Sequence, residues 1–351
     1  MYNQRIDRLR EAIDDPLLIT FLPNIRYLTG FTGSSAYVFV SRDRFVFITD
    51  GRYEELGQKL ISAIDGGELV AYRSGLVDVL MEQFGDSKRV GLEAQHVNWA
   101  FVHSLKGNTR SDLVPTRGVV ESLREVKDDG EIEFLAAAAR AGDEAFNSIR
   151  DIAAVAESEG DVGWALINAM RTAGAAQAGW PPIAAAGANA ALPHHLSAGD
   201  PVGCGLLLLD YGCTVNGYHS DMSRTIWLHG DPDAETARMH KAVLESQEAG
   251  IAAVKPGATG RDVDEACRIV LRQYGYEDFF VHSTGHGVGL EIHEGPRLSV
   301  TSEDVLVPGN VVTVEPGVYV PGFGGVRIED MVVVTEDGHL VLTDSDKGWD
   351  A

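Results

Sequence analysis

Over the first third of the chain, apolar positions alternate between short extended runs and helical stripes. Gln4–Ile13 carries a helical stripe and leads into the apolar run Leu17–Leu22, after which Ala36–Val40 and Arg44–Thr49 read as strands. Arg52–Ile64 is helical in pattern, Leu69–Tyr72 a strand, Val77–Phe84 a helix, Arg89–Leu92 a strand and Trp99–Leu105 a helix. Strands interleaved with helices predict an α/β layered domain. His96 and His103 stand alone in it and are expected to be surface or packing residues. The polar, charge-dense segment Val120–Gly130 is expected to be the boundary, dividing the chain into residues 1–125 and 126–351. Its Asp128 and Asp129 sit where acids favour a helix N-terminus.

The second part repeats one pattern twice. A long helix from Glu131 places Ile132, Leu135, Ala139, Phe146, Ile149 and Ala153 on one side, and a second from Gly160-Asp161 shows Val162, Leu166, Ala169 and Ala173. Loop signals follow, including Trp180-Pro181-Pro182 and Pro193-His194-His195. The apolar run Leu206–Leu209 then ends in Asp210, and a turn-rich stretch with Asn216-Gly217 leads to Asp221 and the extended run Met222–Leu228, a β-hairpin. Centred near Val215–Asn216, this hairpin sets Asp210 opposite Asp221; a shift of one residue makes them diagonal. Either way their Cβ atoms are roughly 4.5–8 Å apart.

The order then recurs. Glu235–Val254 is a helix closed by Lys255-Pro256-Gly257, and Gly260-Arg261-Asp262 opens another with Val263, Ala266, Cys267, Val270, Leu271 and Tyr274 as its buried stripe. Cys267 is therefore expected in the core. Val311–Glu315 and Val326–Val334 form a second hairpin around Pro321-Gly322, with Glu315 and Glu329 about evenly placed on either side. Helix, helix, loop and acid-bearing hairpin occur at about 131–228 and 235–334, a repeat of pattern with little residue identity. Two such hairpins facing across a pseudo-twofold axis would bring four carboxylates together.

Composition narrows the function. A net charge of −23 makes nucleic-acid binding unfavourable. Cys204, Cys213 and Cys267 form no C-x-x-C pair, which suits a reducing compartment without disulfides or a thiolate zinc site. The charged N-terminus lacks the apolar core of a signal peptide, and no run approaches the ~18 apolar residues of a membrane span. The expectation is a cytoplasmic protein of ordinary globular composition, without a membrane partner.

Paired acids repel unless a cation or water separates them, so the rest of the chain must choose. Between the hairpins lies His282-Ser283-Thr284-Gly285-His286-Gly287-Val288-Gly289, followed by His293-Glu294-Gly295-Pro296-Arg297. Glycines on both sides of His286 allow close backbone approach. The alternating glycines are not a dinucleotide fingerprint, Arg297 stands where a zincin requires histidine, and Val281 stands where a nucleophile elbow requires glycine. Four carboxylates with one imidazole make an oxygen-rich donor set that suits Mn2+ or a neighbouring divalent ion. Two such ions ~3.5–4 Å apart can share a water and lower its pKa.

Asp210, Asp221 with Ser223-Arg224-Thr225, Ser283–Leu290, Val314-Glu315-Pro316-Gly317 and Arg327-Ile328-Glu329-Asp330 together resemble the M24 "pita-bread" metallopeptidases. Asn24–Phe31 with Ser34-Ser35-Ala36 resembles the amino-terminal domain of the proline-specific branch, Xaa-Pro dipeptidase (prolidase) and Xaa-Pro aminopeptidase. The resemblance implies a creatinase/prolidase-like α/β domain followed by an α+β pita-bread catalytic domain with a pseudo-twofold internal repeat. It implies two divalent ions, Mn2+ first and Co2+ or Zn2+ as alternatives, held by Asp210, Asp221, His286, Glu315 and Glu329. Glu315 would be the acid/base, His293 would stabilise the oxyanion, and His194 and His282 would line the pocket. Arg327 would orient the site and Arg297 would meet a substrate carboxylate, while His195 is expected to be incidental. The implied substrate is a proline-containing di- or oligopeptide, with the dipeptidase reading ahead of the aminopeptidase, and the implied assembly is a homodimer. A non-catalytic binding protein and a metal-free creatinase-like hydrolase are disfavoured because all five ligand positions are filled. A methionine aminopeptidase is disfavoured by the ~125 residues ahead of the catalytic half.

Overall fold

A computed structural model describes residues 1–349. The chain divides into two compact units, Met1–Arg124 and Glu125–Ala351. The first contains α1 (Tyr2–Ala12), β1 (Leu17–Ile19), α2 (Leu22–Thr29), β2 (Ala36–Val40), β3 (Phe45–Asp50), α3 (Glu54–Ile61), β4 (Gly67–Tyr72), α4 (Leu76–Phe84), β5 (Arg89–Glu93), α5 (Trp99–Lys106) and β6 (Asp112–Thr116). Helix α6 (Val119–Glu125) follows. The six strands form one mixed sheet in the order β4-β3-β2-β1-β5-β6.

Three elements here depart from the sequence expectation. The run Leu17–Leu22 is two elements, because β1 stops at Ile19 and Pro23 starts α2, in a first turn that does not need its N–H. Strand β6 carries Pro115, which is tolerated because β6 lies at the sheet edge. Much of the expected linker Val120–Gly130 is helix: α6 buries Val120 and Arg124 beneath its charged exterior. His96 is a packing residue, stacked 3.7 Å from Phe21 and 2.9 Å from the Glu121 carboxylate.

The second unit begins with α7 (Asp129–Ala153) and α8 (Glu159–Thr172). Helix α7 starts two residues before Glu131, in a reciprocal capping box of Asp128 and Glu131. Helix α8 has a similar box from Ser158 and Asp161. On α8 the fully buried stripe is Val162, Leu166 and Met170, whereas Ala169 and Ala173 are only half-buried. Next come β7 (Gln177–Ala178), β8 (Ile183–Ala186), β9 (Gly205–Tyr211), β10 (Cys213–Val215), β11 (Tyr218–His219) and β12 (Met222–Leu228). The second half repeats the order with α9 (Ala234–Ala253), α10 (Gly260–Tyr274), β13 (Gly285–Gly287), β14 (Glu294–Leu298), β15 (Val311–Val314), β16 (Gly317–Val320), β17 (Gly324–Arg327), β18 (Asp330–Val334) and β19 (His339–Val341).

The apolar run that precedes Asp210 is continuous because β9 is buried on both faces. Leu207 and Leu209 pack with α7 and α8, whereas Leu206 and Leu208 join a second cluster with Met239, Val243, Val318 and Val326. Cys267 is buried in a third cluster with Val312, Val314 and Val332. No helix among the described residues is long and apolar enough to cross a membrane.

One core histidine gives a pH-dependent expectation. His240 on α9 lies 4.1 Å from the Trp349 ring, and burial lowers its pKa to about 4 despite a backbone contact with Lys347. The unfolded chain therefore binds a proton below its ordinary value near 6.5 that the folded state resists, so the contribution falls as pH drops toward 4. His240→Leu removes this difference. The stability of the variant relative to wild type, from urea denaturation, should rise by about 1.5 kcal/mol between pH 6.5 and 5. A pH-independent gap would refute this assignment.

Candidate active site

Asn216 and Gly217 both adopt positive φ, 47° and 76°, and form the two-residue turn of the first hairpin. Ser223 is thereby set opposite Asp210, and Met222 opposite Tyr211. Asp221 is consequently the diagonal neighbour of Asp210, and both lie on the face that carries Ser223. In the second hairpin Val314 pairs with Asp330 and Gly317 with Arg327, so Glu315 and Glu329 flank the break between the two ladders at matching positions.

The histidine loop is fixed from beneath by α10. Asp264 accepts from the Thr284 backbone and hydroxyl at 3.1 and 2.9 Å, and Arg268 donates to the His282 carbonyl at 2.9 Å. A Cβ at Gly285 would collide with the Thr313 carbonyl, and one at Gly287 with that of Gly295. Glycine at both positions is what lets His286 sit against its neighbouring strands.

All ten residues singled out in the sequence line one cavity of about 680 Å³. Ligand atoms of Asp221, His286 and Glu329 lie within 4.8 Å of one another. His286 Nε2 stands 3.5 Å from Asp221 Oδ2 and 3.4 Å from Glu315 Oε1. The Nδ1 of the same ring meets the Gly287 carbonyl at 3.0 Å, which requires a proton on Nδ1. Burial, with His293 beside it, holds His286 at about 4 and thus neutral. The Nε2 lone pair of this imidazole therefore faces the carboxyl oxygens of Asp221 and Glu315.

The carboxylates are under the same strain. Burial first, then the charge of Glu329, pushes Asp221 and Glu315 well above the ordinary carboxylate range. Burial and Asp210 push Glu329 up to about 8. Asp210 Oδ1 is buried with no hydrogen-bond partner, while its other oxygen is bound by Arg327. Convergent lone pairs, an orphaned carboxylate oxygen and mutually repelling acids are the donor set that divalent cations satisfy, so these five residues fit a metal centre.

Several contacts that support the site were not legible in the sequence. Ser223 donates to Glu329 at 2.8 Å and accepts from Arg327 Nε at 2.8 Å. Tyr319 accepts from Arg327 Nη1 at 2.7 Å, and burial pushes its phenol up to about 12, so it remains an O–H. His282 Nδ1 meets the Ser283 carbonyl at 2.8 Å, leaving Nε2 to accept from Tyr319 at 2.8 Å. Thr313 bonds the His286 amide at 3.2 Å and Glu315 Oε1 at 3.4 Å. Trp180, Ile183 and Ile292 give the cavity apolar walls. His194, His293 and Arg297 stand at its exposed side.

Residues 133–336 match the model of Metallopeptidase family M24, and residues 4–126 that of the Creatinase/Prolidase N-terminal domain. The chain belongs to metallopeptidase family M24. Among its M24 relatives is the Bacillus subtilis protein called "Uncharacterized peptidase YqhT", 39% identical over 352 residues that cover 98% of each chain. The solved Xaa-Pro dipeptidase from Bacillus anthracis is 38% identical and covers 99% of each chain with a TM-score of 0.95. The X-Pro aminopeptidase from Thermotoga maritima MSB8 is 32% identical, covering 98% of this chain and 99% of that one, with a TM-score of 0.90. The M24 fold, with its creatinase-type N-terminal domain, is thus the architecture in which the ten cavity residues are set.

Proposed function

We propose that the protein is an exopeptidase that hydrolyses the Xaa-Pro bond at the N-terminus of dipeptides, with Xaa-Pro aminopeptidase activity on longer peptides as the second reading. The observation that carries it is the His286 lone pair set against Asp221 and Glu315 in the wall of the cavity. The named activities of the two solved relatives supply the substrate class.

Asp210, Asp221, His286, Glu315 and Glu329 would hold two divalent ions. Such a pair polarises a carbonyl and lowers the pKa of a shared water. Glu315 takes up the proton of the attacking water and delivers it to the proline nitrogen, which as a tertiary amide has no N–H and needs a proton to leave. His293 donates to the developing oxyanion, and His194 and His282 line the pocket around the scissile bond. Arg327 holds Asp210 in place, and Arg297 meets the substrate carboxylate. Mn2+ as the cation, a homodimer as the assembly and the cytoplasm as the location complete the reading.

Hydrolysis of Xaa-Pro dipeptides and Xaa-Pro-Xaa tripeptides, measured with and without Mn2+, is the test. The expected outcome is metal-dependent turnover with kcat/KM higher for dipeptides. Faster tripeptide cleavage would install the aminopeptidase reading, and no turnover of either set would overturn both.

A further inference from the structure

The histidine next to His194 has a buried partner of its own. The imidazole of His195 lies 2.6 Å from Oε2 of Glu159, a fully buried carboxylate at the start of α8. The other oxygen of Glu159 accepts from the Ala186 amide at 2.7 Å and from Asn189 Nδ2 at 3.0 Å. One buried carboxylate thus ties together the end of β8, the short helical turn Gly187–Ala191 and the loop that presents His194 to the cavity. Backbone contacts run the same way, because the Glu159 and Gly160 amides donate to the Asp200 and Ala198 carbonyls at 2.9 and 2.7 Å. Ser197 fastens the loop to β8 by accepting from the Ala184 amide at 2.6 Å.

Glu159, His195 and Asp200 also bring potential ligand atoms within 4.8 Å of one another. This cluster differs from the one around His286. A 2.6 Å separation between imidazole nitrogen and carboxylate oxygen needs a proton between them, and that proton already satisfies the pair. We infer that His195 is a positioning residue: its bond to buried Glu159 anchors the loop from behind and so places His194 in the cavity. The inference rests on the substrate-binding role proposed for His194.

The test is a double-mutant cycle of His194→Ala and His195→Ala, with His195→Gln as the conservative variant. His195→Ala should lower kcat/KM on Xaa-Pro substrates by about tenfold, mainly through KM, with metal content unchanged. His195→Gln, which retains an N–H donor, should recover most of the loss. In the His194→Ala background, His195→Ala should change kcat/KM less than about twofold, because its effect passes through His194. In parallel, amides of residues 194–198 should exchange at least about tenfold faster in His195→Ala than in wild type. Multiplicative losses in the cycle, or unchanged exchange in that segment, would overturn the inference. If the wild type turned over no Xaa-Pro substrate, the proposed function would fail, and the exchange comparison would still decide whether His195 anchors the loop.

Discussion

Replacing Asp221 by Asn is expected to lower kcat on Xaa-Pro substrates by at least ~10³-fold while leaving the metal-free protein as stable as wild type or more so. The two signs have one origin. Asp221 is buried beside Glu329, Asp210 and Glu315, and the loss of hydration, followed by their charges, holds its pKa well above the ordinary value. Without cations, a neutral amide at this position removes a repulsion. With cations, it removes one of the charges that balance them and replaces a carboxylate oxygen by an NH2 that points a donor at its neighbours. Metal content by elemental analysis should fall with the activity, and the thermal midpoint under chelation should stay level or rise. A variant that turned over substrate at the wild-type rate would end the assignment of Asp221 to the centre. One that was inactive and also unfolded under chelation would make it a structural residue.

How much of this could be read beforehand depends on whether the signal lay along the chain or across it. The acids were legible because each hairpin places them about evenly around a turn, and evenness survives uncertainty in the turn. The register of the first hairpin was ambiguous by one residue, and the positive φ of Asn216 and Gly217 decides it for the diagonal arrangement. The run Leu206–Leu209 was legible as an apolar strand, but its burial on both faces depends on partners that lie far along the chain. Helix α6 was hidden because its charged surface resembles a linker when the buried Val120 and Arg124 are not known to face inward. Tyr319 went unmarked, and Ser223 was marked only as part of a motif without a role, for a different reason. Each is an ordinary strand residue in its own segment, and each gains a role only when Arg327 reaches it, Tyr319 from the paired strand and Ser223 from the other hairpin. His195 was set aside because its partner Glu159 lies 36 positions away, at a helix start marked only by its cap.

Arg224→Met is expected to destabilise the catalytic unit by about 3–5 kcal/mol, the range for breaking a buried ion pair by removing one partner. Arg224 is 1% exposed, and its Nη2 bonds Asp330 Oδ1 at 2.7 Å and the Ser345 carbonyl at 2.9 Å. Its Nε reaches the Ser345 and Asp346 carbonyls at 3.2 Å, and Nη1 the Ser223 carbonyl at 2.9 Å as well as that of Glu329. Burial alone would raise the Asp330 pKa, but Arg224 and then Lys347 outweigh it and hold the carboxyl below its ordinary value. Without Arg224, that carboxylate keeps Gln247, Thr343 and Lys347 but loses its best-buried counter-charge. The double variant Arg224→Met/Asp330→Leu should recover only part of the loss. It removes the stranded charge, yet still takes the Arg224 donor from the carbonyls of Glu329 and Ser345, each worth about 1–3 kcal/mol if unsatisfied, whereas the Ser223 carbonyl keeps the Glu329 amide at 3.1 Å. The same bonds reach a proposed metal ligand, because Arg224 grips the Glu329 carbonyl while Ser223 grips its carboxylate. Mn2+ affinity of the folded single variant should therefore fall about 10–100-fold, the usual effect of removing a group that orients a ligand. Chemical denaturation of the two variants and wild type, with Mn2+ titration of each, separates the effects. A single variant with wild-type stability would show that the guanidinium only balances its own desolvation. A double variant no more stable than the single one would place the whole loss in the ungripped backbone rather than in the stranded Asp330 charge.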